Sequence, residues 1–425
     1  MSRSRAPAPP RPGRRISVLL GDRPLPIGEL LHDRDRGKEH TAWRYSADWL
    51  EDPEAFTIDP MLQMVEGSQG HRAGRNLSEA FIPAIADAAP DGWALKVIHR
   101  SHARHRLAAI HDGQPEPPPP GLIDFLLAVD DHARIGALRF RDEAGVIQAP
   151  PGDRRNPPSI LRQALDATAR MERNRETDAD LEYLRGRGTS LGGARPKCTI
   201  VEDGRLAIGK FPSVQDTVAI THGEVLALRL AKMAGITAAD ASLVMCDKDP
   251  VTIIYRFDRT LAGARIPYCS ASTLVGEYIN PTATWSYADI IDAIRQHSAQ
   301  AAHDCREIWR RLVFNIIINN VDDHLHNHGF LHVGRGLWNL APAFDLNPAP
   351  GRERALTLWL SSDLEPGSGL AGARVLATYA GIGPAEAERI IAEVGSAVAT
   401  WRTVGADLGM TAAQLDAFDE AFQLP

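Results

Sequence analysis

"NNVDDHLHNHGF", residues 319–330, sets two aspartates, three histidines and three asparagines into twelve positions. It follows "RLVFNIII" (311–318), an apolar run that a solvated linker would not carry. Within "AHDCREIWRRLVFNIIINN" (302–320), Ile308, Trp309, Leu312, Val313, Ile316 and Ile317 recur at three- and four-residue intervals, the spacing of a buried helix face. A buried helix ending near Asn319-Asn320 therefore delivers this cluster of polar groups to a loop.

Working outward, "GFLHV" (329–333), the turn Gly334-Arg335-Gly336 and "LWNL" (337–340) read as a β-hairpin, and "APAFDLNP" (341–348) brings Asp345 immediately after it. Asp322, Asn327 five residues on, a hairpin and then Asp345 match the order of a protein-kinase catalytic centre. There an aspartate accepts the proton of the substrate hydroxyl, while an Asn and a second Asp hold Mg²⁺ on the phosphates. The ligand types suit that cation, which prefers carbonyl, carboxylate and water oxygens. A competing reading takes His324, His326 and His328 as ligands of a transition metal, after the H-x-H-x-D-H pattern of metallo-hydrolases. It fails on the residues: the required aspartate is missing, with His at 328 and Gly at 329, and no later histidine falls within a plausible loop. His324 then reads as a packing residue beside the acid.

A kinase needs a lysine on the nucleotide phosphates, a carboxylate to hold that lysine, and a phosphate loop. Lys210 closes the apolar strand "LAIGK" (206–210), and Glu224 lies one turn into the helix that follows. "GRGTSLGGARPK" (186–197) supplies Gly186, Gly188, Gly192 and Gly193, one residue off the G-x-G-x-x-G spacing, with Arg195 and Lys197 beside them. Backbone N–H groups on such a turn, with two cations, can cradle a polyphosphate. Lys210 alone is weak evidence; its order relative to Glu224, Asp322, Asn327 and Asp345 carries the argument.

The whole chain fits this frame. Its 425 residues are 44% hydrophobic and contain no apolar run long enough to span a bilayer, so a soluble protein with two or three cored domains is expected. The opening "MSRSRAPAPPRPGRR" has neither the apolar stretch nor the cleavage site of a secretory signal, and reads as a disordered basic tail (1–15). Cys198, Cys246, Cys269 and Cys305 form no C-x-x-C pair, which argues against a disulfide framework or zinc knuckle and fits a reducing cytoplasm. A net charge of −7 excludes a general nucleic-acid binder. The proline-rich "APPGDRRNPPS" (149–159) marks a boundary near 155. Before it, "RISVLLG" (15–21) and "RIGALRF" (134–140) read as strands, and 77–107 as helix broken at Pro90-Asp91-Gly92. After it, a hairpin turning at Asp203-Gly204, a helix closed by Gly235 and the strand "PVTIIYRFDR" (250–259) precede a helical region from about 285. The expected fold class is α+β with two lobes and a cleft between them.

Taken together, "TSLGGARPK" (189–197), "AIGKFP" (207–212), "HGEVLALRLAKMAGI" (222–236), "YRFDR" (255–259), "DDHLHN" (322–327) and "PAFDLNP" (342–348) resemble, in this order, the HipA-like serine/threonine kinases, toxins of HipBA-type modules. "WRYSADWL" (43–50), "AAPDGWALKVI" (88–98) and "RIGALRF" look like the N-terminal subdomain of that family, so the resemblance covers nearly all the chain after residue 16. It implies a two-lobed kinase-like fold: an N-terminal HipA-type α/β subdomain (16–154), a kinase N-lobe with phosphate loop and hinge (155–258), and a mainly helical C-lobe with the catalytic loop (259–425). It implies Asp322 as catalytic base, Lys210 on the ATP phosphates, Asn327 and Asp345 as Mg²⁺ ligands, and Gly192, Gly193, Ala194, Arg195, Lys197 and Glu224 around the nucleotide. Tyr255 and Phe257 would lie at the adenine hinge, Asp258 near the ribose, and Ser190 at the serine the family autophosphorylates to silence itself. It further implies a HipB-like helix-turn-helix antitoxin as partner, contact with DNA only through that partner, and a translation component such as an aminoacyl-tRNA synthetase as substrate. The second acid, Asp323, stands where the family commonly has a small residue, and leaves open which carboxylate is the base. Two other functions remain on the same scaffold: a catalytically idle co-regulator, and a lipid or small-molecule kinase.

Overall fold

A computed structural model of the protein describes residues 13–35, 38–147, 159–187, 193–280 and 282–423. Among these residues the strands form three antiparallel sheets. The first contains β1 (Arg14–Leu20), β2 (Leu25–Asp35), β3 (Lys38–Tyr45), β4 (Ser68–Gly74) and β5 (Leu138–Arg141), in the order β4-β3-β2-β1-β5. Alternation in "RISVLL" turns Ile16 and Val18 inward, where they meet Leu30, Trp43 and Phe140. Arg14 and Arg15, assigned by composition to the tail, pair with His32 and Leu31 as the first residues of β1. The strand expected over 134–140 begins only at Leu138, because the buried Arg134 guanidinium donates to the carbonyls of Ala88 and Leu126 and pulls its segment out of the ladder.

The second sheet has the order β6-β7-β9-β8, with β6 (Lys197–Glu202), β7 (Arg205–Lys210), β8 (Ala241–Cys246) and β9 (Asp249–Tyr255). The β6–β7 turn falls at Asp203-Gly204, both at positive φ (50° and 74°), the pair a two-residue hairpin of type I′ requires. That turn sets the register, which places Lys197 opposite Lys210. The helix Ile220–Met233 packs across the sheet and is closed by Gly235, whose φ of 75° lets the Ile236 N–H return to the Ala231 carbonyl.

The third sheet, β10 (Tyr268–Ser270), β11 (Gly329–Gly334) and β12 (Leu337–Leu340), lies among the C-terminal helices, chief among them Tyr287–His297, Ala301–Ile317, Gly369–Tyr379 and Pro384–Val398. The apolar stripe from Ile308 to Ile317 is buried as its spacing requires. Its core is continuous with that of the first sheet. Among the described residues no helix is long and apolar enough to cross a membrane. The boundary expected near 155 lies outside the described residues.

Candidate active site

Lys210 ends β7 with its side chain buried. Its Nζ donates to Glu224 at 2.5 Å, from the helix behind the sheet, and to Asp345 Oδ1 at 2.8 Å, from the loop after β12. Burial alone would strip the ammonium of its proton, but Asp345 and Glu224 outweigh it and hold Lys210 charged well above the ordinary range. Burial likewise opposes the Asp345 carboxylate, and Lys210 with Lys197 outweighs it, keeping Asp345 ionised far into acid. Asp345 sits at φ 54°, a left-handed conformation that Asp tolerates through local hydrogen bonds, here from Asn347 Nδ2 at 3.0 Å.

Lys197 stands beside Lys210 across the β6–β7 ladder and is also buried. Burial, then repulsion from Lys210, pushes its pKa down to about 8 against the pull of Asp345, Asp91 and Glu224.

The two neighbouring acids of the polar loop are separated by environment. Asp322 is open, its side chain 73% exposed, with His324 Nε2 at 3.9 Å. Asp323 is 1% exposed and fully engaged: Tyr287 donates its hydroxyl to Oδ2 at 2.8 Å, and the N–H groups of Thr357 and Leu358 reach Oδ1 at 2.7 and 3.3 Å. Of the two, only Asp322 is open to solvent. Asn327 Nδ2 donates to the Asp322 carbonyl at 2.7 Å, closing the loop and leaving Oδ1 for another partner. A small cavity lined by Asn320, Asn327, Ala343 and Phe344 brings Asn327 against the Asp345 segment. The histidines diverge: the rings of His324 and His326 meet edge to face at 5.9 Å, whereas His328 is buried against Tyr287, with Nε2 3.3 Å from the Asp323 carbonyl.

The end of the glycine segment is gripped from the N-terminal part of the chain. Gly193 N–H donates to Asp91 Oδ1 at 2.8 Å, and its carbonyl accepts from Trp93 N–H at 2.9 Å. Between them Gly92, at φ 38°, is required: a Cβ there would lie 2.3 Å from the Gly193 oxygen. "AAPDGWALKVI" was legible as a motif, but nothing in it announced a partner a hundred residues away. Ala194 is exposed next to this contact. Ser190 and Gly192, with Gly188, lie outside the described residues.

Three residues expected at the nucleotide are engaged by protein groups. The Asp258 carboxylate is buried between Arg256 and Arg259 and accepts the Gly136 N–H at 2.6 Å, so it ties the second sheet to the N-terminal part of the chain and is not available to a ribose. Tyr255 packs with Val251 and Ile253 on the sheet face opposite Thr252, the partner of Lys210, and its ring lies under the Arg205 guanidinium. Arg195 is held by both oxygens of Asp216, at 2.8 and 2.7 Å, which commits it to shaping the segment. Phe257 stays beside the site, its ring 5.5 Å from that of Phe344 next to Asp345.

A sequence model of the HipA-like C-terminal domain matches residues 189–401, half of the chain, including Lys197, Lys210, Glu224, Asp322, Asn327 and Asp345. The protein belongs to the HipA-like family. Two relatives named as kinases by inference match part of it. Y4mE of Sinorhizobium fredii is 25% identical over 185 residues, 37% of this chain and 41% of that protein. A protein of Haemophilus influenzae is 26% identical over 184 residues, 37% and 52% respectively. The chain thus spans about half the length, or less, of the curated relatives it matches. Among solved structures, HipA of Shewanella oneidensis MR-1, determined with HipB and operator DNA, superposes with a TM-score of 0.67 at 16% identity, over 96% of this chain and 95% of that one. The HipA-like fold therefore extends through the N-terminal sheet, beyond the segment the family model matches.

Proposed function

We propose that this HipA-like protein is an ATP-dependent serine/threonine protein kinase acting as the toxin of a toxin-antitoxin pair. The observation that carries the reading is Lys210 held between Glu224 and Asp345, with the segment around Asp345 meeting the loop of the open Asp322 across the small cavity lined by Asn327 and Phe344. In this reading the acceptor hydroxyl gives its proton to Asp322 as its oxygen bonds to the γ-phosphorus, and the bond to the bridging oxygen of ADP breaks. Lys210 and Lys197 offset charge on the phosphates, and positioning supplies most of the acceleration. Asp345 and the Asn327 carbonyl form an all-oxygen donor set that fits Mg²⁺, which when bound neutralises phosphate charge. The likeness to a HipA determined with HipB and operator DNA supports a HipB-like helix-turn-helix antitoxin as partner, with DNA reached through it. The proposed substrate is a cytoplasmic translation component such as an aminoacyl-tRNA synthetase, and the proposed off-switch is autophosphorylation of Ser190.

Incubating the full chain with radiolabelled Mg·ATP tests this directly. Phosphate should appear on protein serine or threonine, including Ser190 by mass spectrometry, and not in an Asp322→Asn control. ATP binding without transfer to any protein would favour the idle co-regulator, and labelled lipid in place of protein the lipid kinase.

Because Lys197 titrates near 8, it is charged at pH 7 and neutral at pH 9, and bound phosphates would draw the proton back onto it. ATP binding is therefore expected to weaken about ten-fold from pH 7 to 9, the worth of one hydrogen bond to a charged group. Near pH 8 it should take up protons. Calorimetry in buffers of different ionisation enthalpy reads that uptake, which Lys197→Met should remove.

A further inference from the structure

Between the loop carrying Asp322 and the loop carrying Asp345 runs a chain of hydrogen bonds, buried from Tyr287 to Asn320 and half-buried at Asn347, that the reaction chemistry does not use. Tyr287, at the start of its helix and 0% exposed, donates to Asp323 Oδ2 at 2.8 Å and accepts from Asn315 Nδ2 at 3.0 Å. Asn315 Oδ1 accepts from Asn320 Nδ2 at 3.1 Å, and Asn320 Oδ1 accepts from the Asn347 N–H at 3.2 Å. Asn347 Nδ2 then reaches Asp345 Oδ1 at 3.0 Å. The directions are mutually fixed: the ionised Asp323 takes the one hydroxyl proton, and flipping either amide would set donor against donor. Asn315 and Asn320 are each 2% exposed, so a broken link would strand a polar group away from water.

We propose that Tyr287 is a positioning residue whose hydroxyl, through Asn315, Asn320 and Asn347, fixes the separation of the Asp322 loop from the Asp345 loop. This rests on the kinase reading above. An ordinary buried tyrosine would need one satisfied partner; this one joins an acid on one loop to a relay that ends on the carboxylate of the other. The two loops must hold the acceptor hydroxyl and the metal-bound phosphate at one distance, and loss of that geometry costs rate before affinity.

The test compares the full chain with Tyr287→Phe, Asn347→Ala and the double variant. It measures thermal midpoint, kcat and KM for Mg·ATP with casein as acceptor, and the Mg²⁺ concentration for half-maximal rate. Tyr287→Phe is expected to lower kcat about ten- to hundred-fold with KM changed less than about three-fold. It should also raise the Mg²⁺ requirement, although it touches no proposed metal ligand. The double variant should lose little more than the worse single one, since both cut the same relay. Unchanged kcat and Mg²⁺ dependence in Tyr287→Phe, or losses that multiply, would overturn the inference. Should Tyr287→Phe fail to fold, Asn347→Ala, at the half-buried end of the relay, decides: a parental kcat there overturns it as well. A parent chain that transfers no phosphate to itself or to casein removes the kinase reading and this inference together, whereas an active parent with multiplying losses removes the inference alone.

Discussion

Asp322→Asn is expected to lower phosphoryl transfer by about 10²- to 10⁴-fold, the worth of a positioned general base, with ATP affinity and thermal midpoint nearly those of the parent. The side chain is exposed and the His324 imidazole is 3.9 Å away, so little folding free energy hangs on it. Asp323→Ala should behave in the opposite way. It strands the Tyr287 hydroxyl and the Thr357 N–H in the interior, and is expected to cost about 2–4 kcal/mol of stability. Thermal denaturation and a transfer assay on the two variants separate the roles. If transfer survives in Asp322→Asn, or if both variants lose stability equally, the base must be sought elsewhere.

Lys210→Met should be the most destabilising change in the cleft. It leaves Glu224, fully buried, facing Asp345 with no cation between them. Removing one partner of a buried ion pair costs about 3–5 kcal/mol, mainly because the remaining charge is uncompensated. Adding Glu224→Gln should restore part of that loss, since one of the two carboxylates is then neutral. Urea unfolding of the three proteins measures both effects. Full stability in Lys210→Met would mean that the carboxylates are solvated, or that burial protonates one of them once the lysine that opposes it is gone.

How much of this was legible depended on how local each signal is. The Asp203-Gly204 turn and the Ile308 to Ile317 stripe each lie within a few residues of chain, and both were read as the structure has them. β2 was missed because "LPIGELLHDRD" ends in a charged run that gives no alternation, its pairing being supplied by β3. The helices Ser159–Glu172 and Asp178–Arg187 were not read from the sequence, being rich in arginine and acid, yet Ala164, Leu165, Ala167 and Met171 are buried. In the site, the order of Lys210, Glu224, Asp322, Asn327 and Asp345 was visible because chemistry restricts those residue types. Tyr287 and Asn315 carry no such signal, because their partners come from other segments, which periodicity cannot register. For Asp258, the two arginines beside it in "YRFDR" claim its carboxylate once the chain is folded, a pairing that their order in the chain does not announce.

The grip of Asp91, Gly92 and Trp93 on Gly193 has a consequence for descent. The end of the glycine segment is held jointly by two stretches of chain, and a methyl group at Gly92 would strike the Gly193 carbonyl at 2.3 Å. A recombination that exchanged the first 150 residues for those of a distant cousin would have to import a matching glycine and acid or lose that hold. A substitution at Gly92 would therefore be felt about a hundred residues away, which makes the N-terminal part of the chain an inherited constraint on what the glycine segment can become.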